Sequence, residues 1–272
     1  MVRLPAVAGR FYPASRAALS STVESFVDPC LSQTRALGIV VPHAGYVYSG
    51  PVAGAVYSQT RLPSRSIILC PNHTGLGKPL AIMREGSWRT PLGDLPIDTE
   101  MCAALMHADS DLEDDSVAHK YEHAVEVQLP FLQHLQGASH RFIPIVVGRG
   151  TWEALSALGE AIAETILKVD RSTLIIASSD MNHYESDTIT RAKDSRAVDR
   201  ILERDPRGLW QTVRQEGISM CGVGPVTAML VAGNLLQAKS AKLVRYATSA
   251  ETSGDFERVV GYAGVILEGA AE

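Results

Sequence analysis

The chain has no CxxC pair, no surplus of basic residues, no membrane-length apolar run and few aromatic residues, and each shortage removes a class of function. Its four cysteines, Cys30, Cys70, Cys102 and Cys221, lie far apart, which excludes a small disulfide-stapled secreted fold and points to a reducing compartment. A formal net charge of −5 at pH 7 argues against a nucleic-acid or anionic-membrane surface, because those need clustered Lys and Arg to displace counterions. No stretch reaches the roughly 20 residues of a membrane span. The apolar run at the N-terminus is too short for a signal peptide, so a cytoplasmic location is expected. Aromatic residues make up 6%, and no aromatic-lined substrate pocket is legible. Gly75-Leu76-Gly77-Lys78 lacks P-loop spacing, and there is neither a G-x-G-x-x-G after a strand nor a G-x-S-x-G elbow. Nucleotide binding and serine hydrolysis are therefore unsupported.

What is present is the make-up of a protein with a sizeable core: 272 residues, 46% hydrophobic and 20% charged. With no repeat, low-complexity tract or long linker, a single domain spanning 1–272 is expected. Apolar runs suited to buried strands fall at Ala36–Val41, Ser66–Cys70, Arg141–Val147, Thr173–Ala177, Lys242–Ala247 and Val259–Leu267. Helical patterns cover roughly Val52–Gln59, Thr99–His107, Glu122–Leu135, Thr151–Val169, Ile189–Glu203 and Pro225–Leu236. Their alternation predicts a layered α/β fold, with a central mixed sheet flanked by helices.

Ligands of such sheets gather where strands end, so polar residues directly after the apolar runs carry the functional expectation. Val40-Val41 leads into Pro42-His43-Ala44-Gly45-Tyr46, and Leu69-Cys70 into Pro71-Asn72-His73-Thr74-Gly75. In each, a Pro that ends the ladder and a Gly two residues after the His would project an imidazole over the sheet edge, where two could share a metal. A third run leads into Ser178-Ser179-Asp180-Met181-Asn182-His183, an acid and an imidazole fit for ligation or proton transfer, or alternatively a turn cap beside a surface side chain. Cys221, in Met220-Cys221-Gly222-Val223-Gly224-Pro225, precedes a helical pattern, a position that lowers a thiol pKa and suits a metal-bound thiolate or a nucleophile. His119-Lys120-Tyr121-Glu122-His123 fits H-x-x-E-H, a zinc-peptidase pattern if helical. The acidic stretch before it reads as a loop, however, and the residues from His123 onward read as a helix with His123 and Glu126 one turn apart, available as support for a site elsewhere.

With those blocks assembled, the sequence resembles the Memo family, also called AmmeMemoRadiSam system protein B. The likeness runs nearly end to end, through Ala8-Gly9-Arg10-Phe11-Tyr12-Pro13, Pro42-His43-Ala44-Gly45-Tyr46, Pro71-Asn72-His73, Arg89-Thr90-Pro91-Leu92-Gly93 and Glu122-His123 with Glu126 and Leu129-Pro130-Phe131. It continues with Ser178-Ser179-Asp180 and His183, then Cys221-Gly222 and Gly261-Tyr262-Ala263. The resemblance implies a fold similar to class III (LigB-type) extradiol dioxygenases, which hold non-haem iron(II) at a sheet edge. By that likeness His43, His73 and Cys221 are expected to bind Fe(2+) or Cu(+), with Zn(2+) an alternative. His183 would act as acid or base, Asp180 would orient it, and His123 and Glu126 would support the ligands. Cys221 is the departure, since iron oxygenases of this kind use two His and one carboxylate. A thiolate there favours softer metals and is itself oxidisable.

The leading expectation is a metal-dependent, oxidoreductase-like protein acting on a small substrate. A cysteine-nucleophile hydrolase or transferase, with His43 or His183 activating Cys221, stands as the alternative. A non-catalytic module for a small or peptide ligand, including a phosphopeptide, is a third possibility implied by the family. Family context also implies an AMMECR1-type protein and a radical SAM enzyme as partners. A zinc peptidase built on His119, Glu122 and His123 ranks last.

Overall fold

Segments such as Ser66-Ile67-Ile68-Leu69 and Leu174-Ile175-Ile176 are apolar on both pleat faces, which suits strands covered by helices on both sides. In the computed structural model, residues 1–148 and 150–269 are described. The chain runs β1 (Val2–Arg3), α1 (Arg16–Phe26), β2 (Ala36–Val41), α2 (Tyr46–Gln59), β3 (Arg65–Pro71), β4 (Leu80–Ile82), β5 (Ser87–Thr90), β6 (Gly93–Pro96) and α3 (Thr99–Ala108). It continues with β7 (Glu113–Asp114), α4 (Ser116–His119), a 3-10 turn at Glu126–Gln128, α5 (Leu129–Gln136), β8 (Arg141–Val147), α6 (Trp152–Val169) and β9 (Leu174–Ser178). Last come β10 (His183–Glu185), α7 (Asp187–Leu202), α8 (Pro206–Gln215), α9 (Val223–Leu235), β11 (Ser240–Thr248), α10 (Ala250–Ser253) and β12 (Val259–Glu268).

The main sheet has the order β10-β12-β2-β9-β3-β8-β4-β7, with β11 paired to β12, while β1, β5 and β6 make a small separate sheet. Strands β2, β9, β3 and β8 are parallel neighbours, so their C-terminal ends share one edge. Strands β12 and β11 on one side and β4 on the other join antiparallel, which makes the sheet mixed, as expected.

Glycines show where the helical layers lie. A Cβ on Gly38 of β2 would sit 2.8 Å from Met229 of α9, and a Cβ on Gly264 of β12 would sit 2.5 Å from Val56 of α2. Gly38 pairs with Leu267, and Gly264 has the opposite parity along β12. The two helices therefore cover opposite faces. Continuous core packing draws on residues from Val7 to Leu267.

All six expected strands are present. Helix α2 starts earlier than its pattern suggested and carries Pro51 inside it. Pro51 has no N–H for the Val47 carbonyl, and the Thr252 hydroxyl donates to that carbonyl instead at 3.3 Å. The helix expected over Glu122–Leu135 begins only at Leu129, with Pro130 in its first turn. Among the described residues no helix is long and apolar enough to cross a membrane.

Candidate metal centre

Because β2, β9 and β3 are adjacent and parallel, the residues that follow them converge without long loops. His43 follows β2, Asp180 follows β9 and His73 follows β3. The His43 amide donates to Asp180 Oδ1 at 2.8 Å, which fixes the two strand exits together. Two details differ from the sequence expectation. Pro71 stays in the ladder opposite Val147, so it does not end β3. Gly75 adopts φ +67 as a tight turn requires, whereas Gly45 has φ −54 and caps the N-terminus of α2.

The third imidazole is that of His123, on the segment between α4 and the 3-10 turn. His43, His73 and His123 each place one ring nitrogen so that all three lie within 4.8 Å of one another, the donor spacing of a single ion. Ring centroids are 5.1 Å apart for His43 and His73, 5.5 Å for His43 and His123, and 4.7 Å for His73 and His123. Phe11 meets the His123 ring edge-on at 4.7 Å, which gives the N-terminal Phe11-Tyr12 block a positioning role.

Hydrogen bonds settle which ring nitrogen of His43 and of His73 is engaged by Ser178 and Glu122. Ser178 Oγ donates its only proton to the Ala124 carbonyl (2.7 Å) and accepts from Gln128 Nε2 (3.0 Å), so the 3.0 Å contact with His43 must be Nδ1–H donating to the remaining lone pair. His73 Nδ1 likewise donates to Glu122 Oε1 at 2.9 Å. Each bond occupies Nδ1 and leaves Nε2 as the nitrogen available to a metal, which binds it only in the unprotonated form. Burial, followed by the charge of His73, pushes the His43 pKa down to about 3. Burial, followed by His43, takes His123 down to about 4. Both rings are therefore neutral donors at pH 7.

Glu122 is the buried anchor that the sequence reading assigned elsewhere. Its Oε1 accepts from His73 Nδ1 and from the His123 and Ala124 amides (2.8 and 2.9 Å), and its Oε2 accepts from the His73 amide at 2.7 Å. Its side chain is 0% exposed. Burial alone would raise its pKa, but the His73 hydrogen bond and the charges of His73 and His123 outweigh that and hold it at about 2. Burial also acts against charge on His73, and the Glu122 bond and charge overcome it, so His73 titrates above its ordinary value.

Glu126, expected beside His123 as support, faces away from the imidazoles. It accepts from Arg3 Nη1 (2.6 Å), the Ala6 and Val7 amides (2.8 and 3.0 Å) and the Tyr12 hydroxyl (2.7 Å), so it fastens the N-terminal segment. His119 also lies apart. It ends the four-residue α4, is buried against Trp88 at 5.7 Å, and shares no helix with Glu122 or His123, so H-x-x-E-H does not form a zincin site.

Cys221 reaches the centre from the opposite side. Its Sγ is 3.2 Å from His43 Nε2, and it accepts the Asp180 amide at 3.3 Å. Gly222 makes that approach possible: a Cβ there would lie 2.4 Å from the Ser179 Cβ and 2.6 Å from the Ser178 carbonyl oxygen. The expected lowering of the thiol pKa by α9 does not hold. Burial, followed by the Asp180 charge, pushes the thiol up. Asp180 is itself raised by burial, against the His43 amide and the neighbouring imidazoles. His183 enters β10 at a bulge, and the next residue, Tyr184, has φ +64. Its amide donates to Ser219 Oγ (2.7 Å) and its Nδ1 to the Ser219 carbonyl (3.0 Å), leaving Nε2 as an acceptor.

A three-imidazole centre at the edge of a parallel sheet, with a thiol beside it, can now be set against known proteins. The family described as Memo-like protein matches residues 3–266. The chain belongs to the Memo family. Among similar Memo proteins, a MEMO1 family protein of Methanopyrus kandleri is 41% identical across 98% of this chain and 99% of its own length. Another, from Ignicoccus hospitalis, is 42% identical across 97% of this chain and 98% of its own. A MEMO1 family protein of Methanosarcina mazei is 40% identical over 98% and 99% respectively.

The donor set fits the metal that the Memo resemblance implies. Two rings carry Nδ1–H bonded to oxygen, two are held neutral, and three nitrogens are gathered at ligand spacing. Sequence reasoning placed His123 among the supporting residues. The signal that would have placed it with the other imidazoles was the Glu122-His123 pair, legible only once His73 is known to meet Glu122.

Proposed function

We propose that this Memo-family protein is a metal-dependent oxidoreductase-like protein in which His43, His73 and His123 hold iron or copper, with zinc the alternative occupant. The observation that carries the reading is the mutual approach of three ring nitrogens within 4.8 Å, two of the rings anchored at Nδ1 by Ser178 and Glu122. Imidazole suits iron, copper and zinc, and the adjacent Cys221 thiol favours Cu(I) and Zn(II) among them. Iron or copper there would supply oxidation–reduction chemistry, whereas zinc would supply Lewis acidity alone. The chain's own residues hold the neutral donors, exclude water from His43 and Asp180, and offer His183 Nε2 as a proton acceptor close by.

The test is elemental analysis of protein reconstituted anaerobically with Fe(II), Cu(I) or Zn(II). Stoichiometric metal in the wild type, lost in His43→Ala, His73→Ala and His123→Ala, is the expected outcome. Cys221→Ser should weaken Cu(I) more than Fe(II), since Sγ touches His43 without belonging to the mutually close trio. Metal content that survives all three His substitutions would sink the reading.

A thiol nucleophile is the second reading, favoured by the 3.2 Å Cys221–His43 contact. Burial opposes it, since it weakens both the thiol acid and the imidazole base. Fast alkylation of metal-free Cys221 at neutral pH would favour it over the metal centre.

A further inference from the structure

A cavity of about 190 Å3 opens directly beside the imidazoles, and His73 and Cys221 form part of its wall. Most of the remaining lining is apolar or glycine backbone, including Val147, Leu155 and Pro225. Among the described lining residues no carboxylate appears, and Arg214 is the sole Lys or Arg.

Arg214 and Arg207, both on α8, lie over tryptophan rings with no carboxylate partner among the described residues, and of the two only Arg214 lines the cavity. Arg191 pairs with Asp187 and Arg196 with Glu216, so the carboxylate nearest in sequence to Arg214 is already engaged. The guanidinium of Arg214 instead lies 4.3 Å over the ring of Trp210, another lining residue, and pairs with no carboxylate among the described residues. A guanidinium seated over an aromatic ring keeps its N–H fork free for a planar oxyanion. The start of α9 adds a field of the same sign. Val223 and Gly224 line the cavity from the first turn of α9, a helix with no side-chain N-cap. The volume limits the guest, since about 150 Å3 accommodates a benzene ring.

We propose that this cavity binds a small carboxylate-bearing ligand, with Arg214 pairing with the carboxylate and the body of the ligand lying toward His73 and Cys221. Arg214 is then the residue that selects substrate for the centre. The ligand's role as substrate rests on the metal-centre reading, whereas its recognition by Arg214 does not.

The experiment is calorimetric titration of the full chain, metal-free and Zn(II)-loaded, with benzoate, its neutral counterpart benzamide, and inorganic phosphate. Benzoate should bind at least tenfold more tightly than benzamide and more tightly than phosphate. Arg214→Ala should weaken benzoate on the order of 10- to 100-fold and leave benzamide within about twofold. Arg214→Lys, which keeps the charge but loses the fork, should fall between. Circular dichroism and Zn(II) stoichiometry of both variants should match wild type. Equal affinity for benzoate and benzamide, phosphate binding as tightly as benzoate, or an Arg214→Ala variant that still prefers benzoate would each overturn the proposal. If Zn(II) binds stoichiometrically without any preference for benzoate, the carboxylate inference fails and the metal reading stands. If the preference persists and depends on Arg214 while no metal binds, the carboxylate site stands and the metal reading fails.

Discussion

Replacing Glu122 by Gln tests the centre at its foundation, because one buried carboxylate accepts four N–H groups from three residues: His73 Nδ1, and the amides of His73, His123 and Ala124. Gln is nearly the same shape, so packing is preserved and the effect is electrostatic. Its single carbonyl oxygen can take the place of Oε1, which serves three of the donors, but its NH2 then faces the His73 amide, donor against donor. Leaving a buried donor unsatisfied costs about 1–3 kcal/mol, and the other bonds lose their charge assistance. A second route gives a similar figure. Holding the carboxyl at about 2 instead of 4.5 favours the folded carboxylate by about 3 kcal/mol, at about 1.4 kcal/mol per tenfold change in proton affinity. The sign follows from the lowered folded pKa: this contribution is present above about 4.5 and is lost as pH falls toward about 2. His73, which is raised, contributes below 6.5 and loses its contribution as pH rises through its folded value. Metal-free Glu122→Gln should therefore lose about 3 kcal/mol at pH 7, a Tm drop of roughly 6–12 °C, and its deficit should shrink by pH 3. Its metal affinity should fall about 10- to 100-fold. Urea melts at the two pH values and a Zn(II) titration read these directly. A variant within about 0.5 kcal/mol of wild type at pH 7 would refute the anchoring argument.

Gly222→Ala drives a methyl into the Ser179 side chain and should cost about 1–3 kcal/mol. The displaced Cys221 should alkylate faster with iodoacetamide, and unchanged stability and reactivity would contradict the close-approach argument. Glu126→Ala leaves the buried Arg3 without its carboxylate and should cost about 3–5 kcal/mol by chemical denaturation. Below its melting range the variant should still bind metal stoichiometrically, and metal loss from the folded variant would return Glu126 to the centre. Burial, followed by the Arg3 charge, lowers His119 to about 3, and burial lowers His140 to about 4, so the unfolded chain takes up protons that the folded chain refuses. Stability should fall as pH drops from about 6.5 toward 4, and His140→Gln should flatten that slope in urea midpoints at pH 7, 6 and 5.

The central sheet was legible because its strands are buried on both sides and their sequences are unbroken apolar runs, as in Ser66-Ile67-Ile68-Leu69 and Arg141–Val147. Strands β4, β5, β6 and β7 have two to four residues each, too few for a periodic signal; β5 and β6 form a local hairpin, while β4 and β7 exist through pairing with distant partners such as Val147 for Leu80. Helices α1 and α8 start at Ser15 and at Asp205-Pro206, the residues that cap them, and α8 also carries a one-sided apolar pattern, with Leu209 and Val213 buried one turn apart.

At the candidate centre, the residues that the strand-end rule pointed to, His43, His73 and Asp180, are brought together because three parallel neighbours need only short exits to join their ends. The rule failed to distinguish Glu122 from Glu126 for a physical reason. The spacing of His123 and Glu126 has meaning only on a helix, and the helix does not begin until Leu129, so the two side chains diverge, one to the imidazoles and one to Arg3. Pro130 was the local sign of that late start, since proline favours the first helical turn and disrupts an interior. The role of Glu122 had no local sign, because its defining partner, His73, lies 49 residues away in sequence. The same holds for the tautomer of His43, set by a serine 135 residues downstream whose proton is committed to the Ala124 carbonyl. Residue types along a strand end can announce donors. Which nitrogen each donor offers is decided by groups that only the folded chain brings within hydrogen-bonding distance.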